Sequence, residues 1–85
     1  MEKTQFIWLY EVRYITWGMD KAATKYFYYK VNAVKFHNEI TRNDDYRADA
    51  PERKLVKMDF VCYTRPDAIE DADETVNNKI MKYRG

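Results

Sequence analysis

Gln5-Phe6-Ile7-Trp8-Leu9-Tyr10-Glu11-Val12-Arg13-Tyr14-Ile15-Thr16-Trp17 decides how the rest of the chain is read. The stretch is dense in aromatic and β-branched residues, which suit a pleated surface better than a helix. On a strand, Phe6, Trp8, Tyr10, Val12 and Tyr14 share one face, while Ile7, Leu9, Glu11, Arg13 and Ile15 share the other. Both faces are apolar at the start and only the second turns polar, the pattern of a strand that is central at its N-terminal end. The apolar run Phe6 to Tyr10 is too short for a signal-peptide core or a bilayer span, so a cytoplasmic location is expected.

Working outward, Gly18-Met19-Asp20-Lys21 supplies a turn and Thr24 to Val34 the pattern of a second strand. In it Phe27, Tyr29, Val31 and Ala33 oppose Tyr26, Tyr28, Lys30 and Asn32, and a hairpin joins it to the first strand. Ala33, His37 and Ile40 fit helical spacing, which predicts a short helix over 34–42, with an extension of the strand as the alternative. Arg42 to Arg53 is rich in charges and turn formers and is expected to be a long surface loop. Lys54 to Arg65 predicts a third strand, with Val56, Met58, Phe60 and Cys62 on its core face. The last segment predicts a helix. Thr64 with Asp67 resembles a capping box, Pro66 suits a first turn, and Ile69, Ala72, Val76, Ile80 and Tyr83 form one apolar stripe. The expected fold is a single α+β domain over residues 1–85. It is a small antiparallel sheet of three or more strands with a C-terminal helix packed on one face, in ββ(α)βα order.

Composition narrows the chemistry. At 85 residues, with 46% hydrophobic and 34% charged residues, the chain is too apolar for disorder and too charged for a membrane protein. One cysteine, Cys62, forbids an internal disulfide, and with one histidine, His37, an ordinary structural zinc site cannot be assembled. Serine is absent, and the two glycines, Gly18 and Gly85, make no phosphate-binding loop. The one nucleophile and base pair available, Cys62 with His37, has its thiol at a core position, so Cys62 is expected to be a buried small hydrophobe. Asp44-Asp45 and the run Glu70 to Glu74 lack the converging geometry of a metal or acid–base site and are expected to be solvated, helix-capping charges. No catalytic residue, cofactor or metal is assigned, and the chain is expected not to be an enzyme.

The formal net charge is +1, but its distribution is uneven: residues 1–65 carry 12 Lys/Arg against 9 Asp/Glu, and residues 66–85 carry 3 against 5. Aromatic residues make up 16%, with 8 Tyr, 2 Trp and 4 Phe. Arg13, Trp17, Tyr26, Tyr28, Lys30, Lys57, Tyr63 and Arg65 would project from the sheet away from the terminal helix, and these are the candidate binding residues. Rings interleaved with cations suit single-stranded nucleic acid, where bases stack and phosphates pair. The same residue types make protein-binding hot spots. A third reading covers the face with the Arg42 to Arg53 loop or with the second copy of a homodimer, and all three stay open.

The early strand Phe6-Ile7-Trp8-Leu9-Tyr10, the aromatic cluster Tyr26 to Lys30 and the charged ending Met81-Lys82-Tyr83-Arg84-Gly85 together resemble the small accessory, anti-defence proteins of T-even bacteriophages, among them inhibitors of the ToxN endoribonuclease toxin. The resemblance implies a non-enzymatic, antitoxin-like antagonist of a host toxin or defence nuclease, acting through such a face and with RNA as a second partner. The alternative is a stand-alone RNA or single-stranded nucleic-acid-binding protein.

Overall fold

The computed structural model describes residues 5–64 and 66–84, without the side chains of residues 63, 64, 66 and 84. Its elements run β1 (Phe6–Thr16), β2 (Ala23–Phe27), α1 (Lys30–Thr41), β3 (Tyr46–Ala48), β4 (Glu52–Lys57), α2 (Met58–Thr64), a 3-10 turn (Pro66–Ala68) and α3 (Glu74–Arg84). This is an α+β fold, with an antiparallel four-stranded sheet and a C-terminal helix. No helix among the described residues is long and apolar enough to cross a membrane.

β1 is the spine. One of its edges pairs with β2, from Tyr10↔Phe27 to Tyr14↔Ala23. Its other edge pairs with β4, from Phe6↔Lys57 to Glu11↔Glu52, and then with β3, from Tyr14↔Ala48 to Thr16↔Tyr46. β3 and β4 therefore act as one interrupted strand. The Asp49 amide still donates to the Arg13 carbonyl at 2.9 Å, so between the Arg13–Asp49 and Glu11–Glu52 pairs the outer chain carries one extra residue. That is a bulge, and Pro51, which has no amide to give a ladder, lies in it. Gly18, at φ +90°, holds the third position of the turn closed by the Met19 amide on the Thr16 carbonyl, where a left-handed backbone favours glycine.

The helices cover opposite halves of opposite faces. α2, the 3-10 turn and α3 lie over the N-terminal half of the face that carries Ile7 and Leu9, burying them with Met58, Val61, Val76 and Ile80. α1 lies over the C-terminal half of the other face, where Val12, Phe27 and Ala33 are buried with Phe36 and Ile40 against them. Two diagonal quadrants of the sheet are left without a helix among the described residues.

Four expectations need correction. The second strand ends at Phe27, not Val34, and the helix expected over 34–42 starts at Lys30. The Asp71 carboxylate accepts hydrogen bonds from the Tyr28 and Tyr29 amides, at 2.6 and 2.8 Å, which turns the chain away from β1 and sets a negative charge at the start of α1, whose N-cap Tyr29 makes no side-chain cap of its own. The Arg42 to Arg53 stretch is not all loop, because Tyr46–Ala48 takes up the free edge of β1 and β4 begins at Glu52. The third strand stops at Lys57. Its ladder with β1 closes where the Met58 amide meets the Gln5 carbonyl, and the chain then turns over the sheet as α2, burying Met58, Val61 and Cys62 at helical spacing while Phe60 stays exposed. Lastly, α3 begins at Glu74 rather than near Thr64, since residues 66–73 form the 3-10 turn, a bridge from Ile69 to Tyr26, the Asp71 contacts to Tyr28 and Tyr29, and the Asp73 cap. The side chain of Thr64, and with it the expected capping box, lies outside the described residues.

Candidate binding face and groove

The eight candidate residues do not form one face. Arg13 and Trp17 lie at the C-terminal half of the Ile7 face, in one of the quadrants without a helix, and Trp17 is 85% exposed. Tyr26 shares that face but sits under the helical layer. Its hydroxyl donates to Glu11 Oε2 at 3.1 Å and its ring meets the edge of Phe60 at 5.9 Å. Lys30 opens α1, so strand alternation does not place it. Lys57, opposite Phe6, is on the reverse face from Arg13. Tyr28 is half-buried beside α3, where Lys79 Nζ donates to its hydroxyl at 2.7 Å. Tyr63 belongs to α2, but its side chain, like the whole of Arg65, lies outside the described residues. The physical reason is parity: α2 and α3 cover part of the face that sequence alternation turned outward, and a strand turned inside out exchanges its sets of side chains.

A different set converges in the other quadrant, on the N-terminal half of the Phe6 face. Pairing across β1 and β4 sets Phe6 opposite Lys57, Trp8 opposite Leu55 and Tyr10 opposite Arg53, all on one side of the sheet. Phe6 is 46% exposed, Trp8 50% and Leu55 47%, and the Arg53 guanidinium lies 4.5 Å from the centre of the Trp8 ring. A cation over an indole face is attracted by the ring and ties the two side chains to each other. Exposed hydrophobic residues gathered in one patch, rather than scattered, mark an interaction site. No strand residue on this quadrant is acidic.

The quadrant runs into an open groove of about 1330 Å³ along the β2-side edge of β1, past Phe6 and Trp8, with Tyr28, Lys79, Lys82 and Tyr83 on its far wall. Tyr83 donates to Asp59 there, tying the end of α3 to α2. None of Phe6, Trp8, Leu55 or Arg53 is among the residues picked out from sequence. The signal was present in the alternation of Phe6, Trp8 and Tyr10, but both faces of that stretch are apolar, so it could not say which one a helix would cover.

Chemistry around the site is structural in character. Glu11, 7% exposed, is held by the Tyr26 hydroxyl and by Lys54 Nζ at 2.9 Å, a network that laces β2, β1 and β4 together. Burial, with the Glu11 contact adding to it, pushes the Tyr26 hydroxyl pKa up, and the Glu11 carboxylate raises that of Lys54. The acidic run before α3 is spent on hydrogen bonds. Asp71 takes the Tyr28 and Tyr29 amides just before α1 and the Asn32 side chain at 3.2 Å, and Asp73 takes the Val76 amide at 3.1 Å. The Tyr29 hydroxyl donates to Asp73, which pushes the tyrosine up to about 12 and, with the Val76 amide, holds the Asp73 carboxyl below the usual carboxylate range. Cys62 is buried on α2 and His37 lies on α1, on opposite faces of the sheet, so the structure does not bring that pair together.

No family model, no curated protein and no solved structure matches the chain.

Proposed function

We propose that the chain is a non-enzymatic binding protein that engages a partner protein through the quadrant built from Phe6, Trp8, Arg53, Leu55 and Lys57. The target class proposed is a toxin or defence nuclease of a host cell, as the resemblance to phage anti-defence proteins implies. The observation that carries the reading is the exposed aromatic and apolar cluster with Arg53 laid on Trp8. Trp and Arg are the residue types that anchor protein interfaces, and here they are already ordered, which lowers the entropy lost on binding. A second reading draws on the same contact, since an indole and a guanidinium on an open sheet also suit stacked bases, with Lys57 near the phosphates.

Affinity purification of the tagged protein, with and without ribonuclease, separates the two. A protein partner retained after ribonuclease, and lost in the Trp8→Ala/Arg53→Ala variant with its circular dichroism unchanged, is the expected result. Co-eluting nucleic acid whose binding falls steeply with salt would favour the second reading. Retention of every partner by the variant would remove this quadrant from consideration. Against an endoribonuclease toxin as target, adding the wild-type chain is expected to slow RNA cleavage and the variant to leave it unchanged.

A further inference from the structure

Among the described residues, the backbone of β1 is not paired along the whole length of both its edges. The Gln5, Arg13 and Trp17 contacts, made to Met58, Asp49 and Asp45, place the amides and carbonyls of odd-numbered residues on the β3/β4 edge. Those of even-numbered residues therefore point to the opposite edge, since backbone groups alternate along a strand. On that edge the described ladder with β2 begins only at Tyr10. Beyond Phe27 the neighbouring chain turns away, its Tyr28 and Tyr29 amides taken by Asp71. The amides and carbonyls of Phe6 and Trp8, roughly 7 Å apart along the strand, thus face the groove with no strand beside them among the described residues. An exposed strand edge is a template for another strand.

We infer that this edge binds an extended acidic peptide segment of a partner protein by strand addition, its alternate side chains lying on the Phe6 and Trp8 rings and against Lys79 and Lys82. The inference rests on the protein-binding reading above and names how the partner is held. Backbone pairing selects an extended polypeptide, because the unpaired donors and acceptors match another peptide backbone. Strand geometry then sets the pattern. One set of the added strand's side chains falls on the Phe6 face, which is apolar, and the other falls on the α3 side, where both Lys79 and Lys82 line the groove. The acidic Asp59 on the same wall already accepts the Tyr83 hydroxyl. The preferred segment therefore alternates apolar and acidic residues.

The test is an NMR titration of the full chain with a capped hexapeptide alternating valine and glutamate, run beside its valine and lysine counterpart and a copy N-methylated at every residue. The expected result is a saturable shift of the Phe6 and Trp8 amides with slowed hydrogen exchange at both. The lysine and N-methylated peptides should bind at least about tenfold more weakly. Lys79→Glu/Lys82→Glu should reverse the preference between glutamate and lysine peptides while the remaining amide spectrum stays folded. Unmoved Phe6 and Trp8 amides at about 2 mM glutamate peptide, or equal binding of the N-methylated copy, would overturn strand addition. Equal binding of the lysine peptide, or an unchanged preference in the double variant, would overturn the acidic assignment. If the peptide fails while partner retention still depends on Trp8 and Arg53, the binding face stands and only this mode of capture falls.

Discussion

At the scale of single residues, Asp71 does more than its place in a charge run suggests. Its carboxylate joins the end of β2, the start of α1 and the approach to α3, accepting two backbone amides and one side-chain amide. Removing it leaves part-buried donors without their charged acceptor. Asp71→Ala is expected to lower stability by about 2–3 kcal/mol, read as a drop in the urea midpoint at unchanged m-value, and Asp71→Asn to recover part of the loss through its one remaining acceptor oxygen. Asp73 and Tyr29 carry a pH signature. A carboxyl held below its ordinary value contributes stability that is present above about pH 4 and is lost as pH falls through the lowered native value. The Tyr29 hydroxyl, pushed up to about 12, contributes stability that is present below about pH 10 and is lost as pH rises through about 12. Urea midpoints measured from pH 2 to 7 should therefore fall less steeply in acid for Asp73→Asn, which still caps α3, than for the wild type.

At the scale of elements, the switch from β4 to α2 is the sharpest departure from local pattern. Lys54 to Tyr63 alternates well enough to continue as a strand, but among the described residues the ladder with β1 ends at Gln5 and Met58. The two conformations bury different residues. A strand would put Met58, Phe60 and Cys62 together and Val61 on the reverse face, whereas the helix buries Val61 to 1% exposure and leaves Phe60 at 44%. Val61→Ala is therefore expected to cost about 1.5–3 kcal/mol and Phe60→Ala less, the larger side chain losing less because it keeps much of its surface in water. Equilibrium denaturation of both variants checks the order, and the reverse order would restore the strand. α1 was legible in part, since Ala33 and Ile40 already step at helical spacing. Its first turn was hidden because Val31 and the tyrosines before it favour strands, while the acceptor that ends β2 at Tyr28 and Tyr29 is the distant Asp71.

At the scale of the whole molecule, two cores hang on one strand. β1 sends Ile7 and Leu9 into the cluster under α2 and α3, and Val12 into the cluster under α1. Melting either cluster strips one half of β1 of its cover, so the two are expected to unfold together. Far- and near-ultraviolet circular dichroism should give coincident urea transitions in the wild type and in Val12→Ala, although the latter empties part of the smaller cluster. A first transition confined to α1 would show the clusters to be independent. The diagonal cover also creates the binding face, because each helix layer protects only half of its side of the sheet. The α+β class, β1, the hairpin turn at Gly18, the helical C-terminus and the burial of Cys62 are legible in the chain before it folds. Each of these follows from periodicity, turn chemistry or side-chain type over a few residues. Long-range contacts set where β2 and β4 stop, which half of each face is covered, and that Phe6, Trp8 and Arg53, rather than Arg13, Trp17 and Tyr26, gather beside a groove. Those outcomes depend on the ladder with β1 and on the hydrogen bonds of Asp71 to Tyr28 and Tyr29, contacts between residues some forty to fifty positions apart, which local pattern does not encode.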